Sequence, residues 1–114
     1  MAILRAQAGE IVDVLPLEDL LPETKTCALI KSQNFEVIRM VILAGKEIAE
    51  HRAKGEVIVQ CLEGMVVFNI AGTSVKLKAG QLIHLKAGEP HSLKAVANSS
   101  LLLTMLLHHE HGHV

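Results

Sequence analysis

Short runs of aliphatic and β-branched residues, separated by glycine-containing turns, recur along most of this chain. Residues 74–79 show the pattern most clearly, because Val75 and Leu77 alternate with Lys76 and Lys78. Strict alternation puts apolar side chains on one face and charged ones on the other. This segment therefore predicts a half-buried β-strand.

The same pattern predicts seven further strands, at 10–15, 35–43, 56–62, 65–70, 81–86, 91–97 and 101–107. The tight turn at Gly64 joins two of them into a hairpin. A short helical turn is expected at 16–23, because Pro16 and two acids stand at its start, and Pro22 should end it. Many short strands with glycine turns predict an all-β fold, an antiparallel sandwich or small barrel, with at most this one helical turn.

Length and composition narrow the function classes. A chain of 114 residues is expected to form one domain, and its core should be aliphatic because it has two Phe and no Tyr or Trp. The net charge of −1, with acids and bases interleaved, lacks the basic footprint of a nucleic-acid partner. No apolar run approaches the ~18 residues of a membrane helix. We therefore expect a soluble, cytoplasmic protein without nucleic-acid or membrane partners.

The two cysteines, Cys27 and Cys61, lie far apart and show no CxxC spacing. They predict neither a disulfide framework nor a zinc ribbon. Reduced and mostly buried thiols in a cytoplasmic protein are the expectation.

Two glycine–histidine motifs resemble those of the cupins. The first combines Gly45, His51 and "LEG" at 62–64, and the second combines Gly80 with "AGEPH" at 87–91. The resemblance implies a jelly roll, or double-stranded β-helix, and commonly a homodimer. It divides the chain into an N-terminal arm with the first strands (1–35), a barrel core (36–107) and a flexible His-rich tail (108–114).

The resemblance also implies a metal site, which this chain retains only in part. Cupins typically hold Fe, Mn, Ni or Zn with His-x-His, a glutamate and a later histidine. His51 and His91 match the first and last ligands, whereas Ala53 and Val57 occupy the other two positions. A divalent metal normally needs three or more protein ligands, so at most weak binding is expected. His84 is a candidate for a third imidazole ligand, but the sequence does not decide whether its side chain points into the barrel or outward.

The strand that follows the first motif predicts an apolar pocket. If Val57 points inward, its neighbour Glu56 points outward, because strand side chains alternate. The predicted pocket residues are His51, Ala53, Val57, Val59, Cys61 and His91, with the histidines at the mouth. Small apolar linings suit small organic ligands, so we expect a small-molecule-binding protein without a strong metal site.

Three alternatives remain open at this stage. The chain could be a metal-dependent enzyme, dioxygenase- or isomerase-like, that uses His51 and His91 with water or His84. It could be a structural dimer module whose strand 10–15 pairs with a partner sheet. The two mouth histidines could instead simply bond to each other, to water or to backbone, or hold a small anion. The tail histidines, His108, His109, His111 and His113, resemble a metal-binding tract.

Overall fold

Within residues 5–107, which the structure describes, a computed structural model of the chain shows nine strands in two antiparallel sheets. The strands are β1 (Cys27–Lys31), β2 (Phe35–Ile42), β3 (Glu47–His51), β4 (Val57–Glu63), β5 (Met65–Ile70), β6 (Thr73–Lys78), β7 (Leu82–Leu85), β8 (His91–Ala95) and β9 (Ser99–Leu106). One sheet has the order β1-β2-β9-β4-β7 and the other has the order β3-β8-β5-β6. The predicted all-β jelly-roll fold is confirmed.

The helical turn is a 3₁₀ helix at Glu18–Glu23, and it contains Pro22 instead of ending before it. No other helix occurs in the described part of the chain, and six residues are too few to reach across a bilayer.

The predicted strand at 10–15 is wrong. These residues are described and lie in irregular backbone. A strand needs a partner strand for its backbone groups. The backbone groups of residues 10–15 instead make a turn bond from Glu10 N–H to the carbonyl of Gln7 at 3.0 Å and accept a side-chain bond from Arg39 to the carbonyl of Leu15 at 2.9 Å. Ile11, the first apolar residue of the pattern, is 93 % exposed. Residues 10–15 therefore pair with no strand among the described residues, although Val12 and Val14 are partly buried.

The pattern missed two strands and the start of a third. β1 and β3 lie outside the predicted strands, and each departs from regular pairing at a bulge. Ser99 and Ser100 precede the strand predicted at 101–107, but they begin β9 and are fully buried. Their hydroxyls make hydrogen bonds, for example from Ser99 Oγ to the carbonyl of Ala97 at 2.7 Å, and these bonds offset the loss of hydration on burial.

The core lies between the two sheets and is aliphatic, as expected. Its fully or nearly fully buried members come from both sheets: Ile42, Val57, Val59, Cys61, Val66, Phe68, Leu77, Leu85, Leu93, Ala95 and Leu101. Phe68 is the one aromatic ring among them. Alternate residues of each strand face this layer, which is the sandwich arrangement that period-2 patterning produces.

Gly64 closes the predicted β4–β5 hairpin. Its φ is +85°, in the left-handed region, and a Cβ there would lie 2.3 Å from Ser99 Oγ and 2.4 Å from the carbonyl oxygen of Asn98. Only glycine has both the conformational freedom and the space. The hairpin turn therefore packs directly against the start of β9.

Glu63 fastens the N-terminal segment to the five-stranded sheet. Its carboxylate accepts the backbone N–H groups of Leu17 at 2.7 Å and Glu18 at 2.9 Å, and the hydroxyl of Ser100 at 2.6 Å. Burial by itself raises the pKa of the Glu63 carboxyl. The three hydrogen bonds and the nearby Arg39 charge outweigh burial, so the pKa lies below its ordinary value of 4.5.

Arg39 supports the same segment from β2. Its side chain is 7 % exposed, and Nη2 donates to the carbonyl of Leu15 at 2.9 Å. The Nε atom is buried and has no hydrogen-bond partner among the described residues. Arg39 and Glu63 therefore both bind backbone groups of residues 15–18, which cover this part of the outer sheet face.

We predict that Glu63→Gln lowers the free energy of unfolding by about 1–3 kcal/mol, because an amide NH₂ replaces a carboxylate oxygen that accepts from backbone N–H and hydroxyl donors. The pKa of Glu63 is lowered in the folded state. Its carboxylate therefore stabilises the fold above pH 4.5, and that contribution is lost as the pH falls through the folded-state pKa. Urea unfolding at a series of pH values should show that the variant loses less stability than the wild type as the solution becomes acidic. Glu47→Gln, at an exposed carboxylate, is the matched control, and equal pH dependence of Glu63→Gln and wild type would contradict the prediction.

Candidate functional site

The pairing of β3 with β8 brings the two motif histidines together. His51, the last residue of β3, pairs with His91, the first residue of β8, after a bulge that follows Ile48. Their ring centroids are 4.3 Å apart and the ring planes meet at 64°. His91 is 5 % exposed, whereas His51 is exposed. The pair therefore stands at the end of the barrel with one ring inside and one at the surface.

In both histidines, the Nδ1 atom of the ring is hydrogen-bonded to a backbone carbonyl. Nδ1 of His51 lies 3.0 Å from the carbonyl oxygen of Ala49, and Nδ1 of His91 lies 3.0 Å from that of Glu89. A carbonyl oxygen only accepts hydrogen bonds, so each Nδ1 carries the hydrogen and donates. In the neutral ring, Nε2 then holds a lone pair, which can bind a metal or accept a hydrogen bond.

Beneath this pair lies a small cavity of about 50 Å³. Apolar side chains from both sheets line it, among them Ala53, Val57, Val59, Leu93 and Leu103. The two histidines supply its polar groups. The cavity is therefore an apolar chamber with imidazoles at one end.

The alternation of side chains along β4 determines which of them line the chamber. Val57 and Val59 are buried and line it. Glu56 lies outside, where one of its carboxylate oxygens is 2.7 Å from Nε2 of His84. Both of these side chains are 53 % exposed. The structure therefore brings Ala53, Val57 and Val59 to the two histidines, and it keeps His84 away from them.

Cys61 is fully buried but does not line the chamber. Its thiol donates weakly to the carbonyls of Glu63 at 3.4 Å and Gly64 at 3.7 Å. Burial raises the pKa of the thiol, and the Glu63 charge adds to this, although the hydrogen bond to the Glu63 backbone opposes it. A protonated buried thiol is a poor nucleophile and a poor metal ligand.

Metal binding does not fit the residues described at the mouth. Across residues 5–107, no three His, Cys, Asp or Glu side chains are grouped closely enough to hold an ion. Two imidazoles alone fall short of the three protein ligands that zinc and its neighbours normally require. The positions of the other two ligands in the cupin motif hold the methyl-bearing side chains of Ala53 and Val57.

Most of the chamber wall comes from residues that the sequence did not indicate. These residues are Met40, Ile48, Phe68, Leu85, Leu93, Leu101, Leu103 and Met105. The sequence indicated some of these residues indirectly, because Leu101, Leu103 and Met105 are alternate residues of β9 and so lie on the same face of that strand. Pairing of β9 with β4, which the pattern does not reveal, was needed to place them opposite Val57 and Val59.

Comparison with known proteins agrees with this architecture. The family described as "Cupin domain" matches residues 38–107. No curated protein sequence is similar enough to count as a relative.

Three solved structures resemble the chain. A conserved protein of unknown function from Streptococcus pyogenes is 26 % identical, covering 96 % of this chain and 100 % of that one, with a TM-score of 0.73. A cupin superfamily protein from Desulfitobacterium hafniense is 16 % identical, covering 87 % and 100 %, with a TM-score of 0.71. A salicylate 1,2-dioxygenase variant from Pseudoaminobacter salicylatoxidans is 20 % identical, covering 70 % of this chain and 25 % of that one, with a TM-score of 0.66.

We predict that His51 and His91 carry the hydrogen on Nδ1 when neutral, because both Nδ1 atoms face backbone carbonyls. His84 should show the opposite arrangement, with the hydrogen on Nε2, because that atom faces the Glu56 carboxylate. Long-range ¹H–¹⁵N correlation spectra in alkaline solution distinguish the two forms. An Nε2-protonated His91 would contradict the site geometry.

Proposed function

Since the chain belongs to the cupin family, we propose that it is a small-molecule-binding cupin whose ligand inserts an apolar end into the chamber below His51 and His91. The observation that supports this most strongly is the chamber itself, an apolar cavity whose polar groups are two imidazoles at the mouth. Pockets that combine apolar walls with a few convergent polar groups are the usual form of small-molecule sites.

The size of the chamber restricts what can enter. A dry cavity of 150 Å³ can hold benzene, so about 50 Å³ has room for roughly two carbon-sized groups by the same measure. The ligand's remaining atoms must then lie at the mouth, within reach of the Nε2 atoms. This limit favours a ligand with a short apolar end and a polar group.

Space for that polar part exists immediately outside. A depression of about 300 Å³ adjoins the chamber and shares Ala53, Val57 and Met105 with it. Lys54 and Gly55 form part of its rim. A ligand that extends from the chamber into this depression would contact both the imidazoles and the backbone of residues 53–55.

The similarity to a dioxygenase is a similarity of fold, because the cupin scaffold hosts unrelated functions. An enzyme that uses His51 and His91 would also have to do without His84, whose ring is engaged by Glu56 on the outer face. We therefore propose binding and assign no reaction to the site.

A second proposed role is homodimerisation through the outer face of the five-stranded sheet. Ile58, Leu82 and Leu106 project from this face and are 45, 64 and 49 % exposed. The outer face of the four-stranded sheet instead carries lysines, namely Lys76, Lys78 and Lys94. A cluster of exposed apolar side chains on one sheet, opposite a charged face on the other, is typical of a surface that a partner covers. The free thiols of the chain also suit the reducing cytoplasm in which we place it.

For the ligand site, we predict a chain-length limit in a series of primary alcohols that bind to the chamber. Each buried methylene contributes about 0.8 kcal/mol, or about fourfold in affinity, until the chamber is full. Val57→Ala should extend the favoured chain and Val57→Leu should shorten it, because the two variants enlarge and fill the cavity. Methyl chemical shifts of Ala53 and Leu103 would report binding by NMR titration.

The control for the alcohol series is Ile58→Ala, on the outward face of the same strand, which should leave the preferred length unchanged. If Val57→Ala and Val57→Leu bind every alcohol as the wild type does, the ligand does not enter the chamber and the proposed function is wrong.

For the dimer, we predict that Ile58→Lys combined with Leu82→Lys produces monomers in sedimentation velocity, because each charge would be desolvated at the interface. Lys76→Ala, on the opposite sheet, should leave the dimer intact. Wild-type protein that sediments as a monomer at all soluble concentrations would rule out this role.

A further inference from the structure

His84 and Glu56 form a polar pair within the exposed apolar surface of the five-stranded sheet. Nε2 of His84 lies 2.7 Å from a carboxylate oxygen of Glu56, and both side chains are 53 % exposed. His84 pairs with Ile58 across β7 and β4, and the backbone of Glu56 is bonded to that of Leu106. Since Ile58 and Leu106 belong to the face proposed above for homodimerisation, a partner on that face would also cover this polar pair.

The backbone beneath both side chains is firmly held. Glu56 directly precedes β4, and its carbonyl accepts Leu106 N–H at 2.9 Å. A Cβ on the preceding Gly55 would collide with the carbonyl oxygen of Leu106, so only glycine lets this part of the chain pack on the end of β9. His84 lies inside β7, which is paired with β4 along its length. The pair therefore stands on fixed supports, and rotation of the two side chains is the motion that remains.

An imidazole nitrogen and a carboxylate oxygen are both zinc ligands, each about 2.0–2.2 Å from the ion. At those bond lengths, two donors of a tetrahedral ion lie about 3.4 Å apart. His84 and Glu56 would have to separate by less than about 1 Å from their 2.7 Å contact. Two donors are only half of a tetrahedral set, and across residues 5–107 no other His, Cys, Asp or Glu side chain makes a group of three with them.

A second copy of the chain would supply the missing half. In a two-fold dimer both copies contribute the same surface, so a group near the axis faces its own counterpart. Without an ion, the two Glu56 carboxylates would approach each other in apolar surroundings, where like charges repel strongly. One Zn²⁺ neutralises both carboxylates, and the two neutral imidazoles complete four ligands. A dimer formed through this face therefore has a physical reason to bind a divalent ion.

We propose that His84 and Glu56 of two copies together bind one Zn²⁺ at the centre of the homodimer interface. This site rests on the proposed homodimer, because a single chain supplies only two of the ligands. It is separate from the chamber, because Glu56 and His84 lie on the outer face whereas their neighbours Val57 and Leu85 line the chamber. Bound Zn²⁺ offsets the repulsion between the carboxylates, so dimerisation and zinc binding strengthen each other.

The test is sedimentation velocity over a range of protein concentrations, once in EDTA and once in a slight excess of Zn²⁺. We expect a dimer dissociation constant at least about tenfold lower with Zn²⁺, and calorimetry should give one ion for two chains. His84→Ala and Glu56→Gln should each abolish this effect of Zn²⁺. All proteins are full-length and carry changes that remove the terminal histidines as competing ligands, namely His108→Ser, His109→Ser, His111→Ser and His113→Ser.

Two features of the variants exclude misfolding as the cause of a lost effect. In EDTA, Glu56→Gln should dimerise at least as well as the parent protein, because it removes the facing charges. Glu47→Gln, at an exposed carboxylate of the opposite sheet, should keep the full response to Zn²⁺. Ile58→Lys combined with Leu82→Lys keeps both ligands but separates the copies, so its zinc affinity should fall at least about tenfold.

Several results would overturn the proposal. A response to Zn²⁺ that persists in His84→Ala would place the ion elsewhere, and unchanged zinc affinity in the double lysine variant would mean that one chain holds a complete site. A dimer whose dissociation constant is the same in EDTA and in Zn²⁺ would overturn the zinc site and leave the homodimer standing. A parent protein that stays monomeric in both solutions would rule out both.

Discussion

The register of β4 between β9 and β7 determines what the barrel encloses. Val57 pairs with Met105 on one side and with Leu85 on the other, and all three side chains face the chamber. A shift by one residue would turn Glu56 and Ile58 inward. That shift would bury a carboxylate and expose core methyl groups, which both cost free energy. The apolar character of the chamber is therefore a consequence of strand pairing.

The chemistry of the mouth follows from that register and from the pairing of His51 with His91. With Glu56 outside and engaged by His84, the two imidazoles stand without a carboxylate among the described residues. Their Nδ1 atoms are held by carbonyls, so the reactive nitrogen of each neutral ring is Nε2. An apolar chamber below and an open depression beside them suit a short amphipathic ligand.

Alternation along the chain predicted the strands that build the chamber and the inward side of β4, because each of these strands has one buried face. It did not reveal β3, in which only Ile48 is partly buried. It failed at 10–15, where an apolar pattern exists but no strand within residues 5–107 pairs with it. The facing of His84 depended on its pairing with Ile58, a long-range contact that no local pattern encodes. Burial of Ser99 likewise depends on hydrogen bonds to residues far along the chain.

The inward facing of Val57 can be measured by the reactivity of cysteines placed at 56 and 57, in a chain whose partly exposed Cys27 is replaced by Ser. Glu56→Cys should react with a thiol reagent at nearly the rate of an unfolded peptide. Val57→Cys should react at least about a hundredfold more slowly, because it becomes accessible only when the barrel opens. A Val57→Cys thiol that reacts as fast as Glu56→Cys, or faster, would mean that the acid faces the interior and that the apolar chamber does not exist.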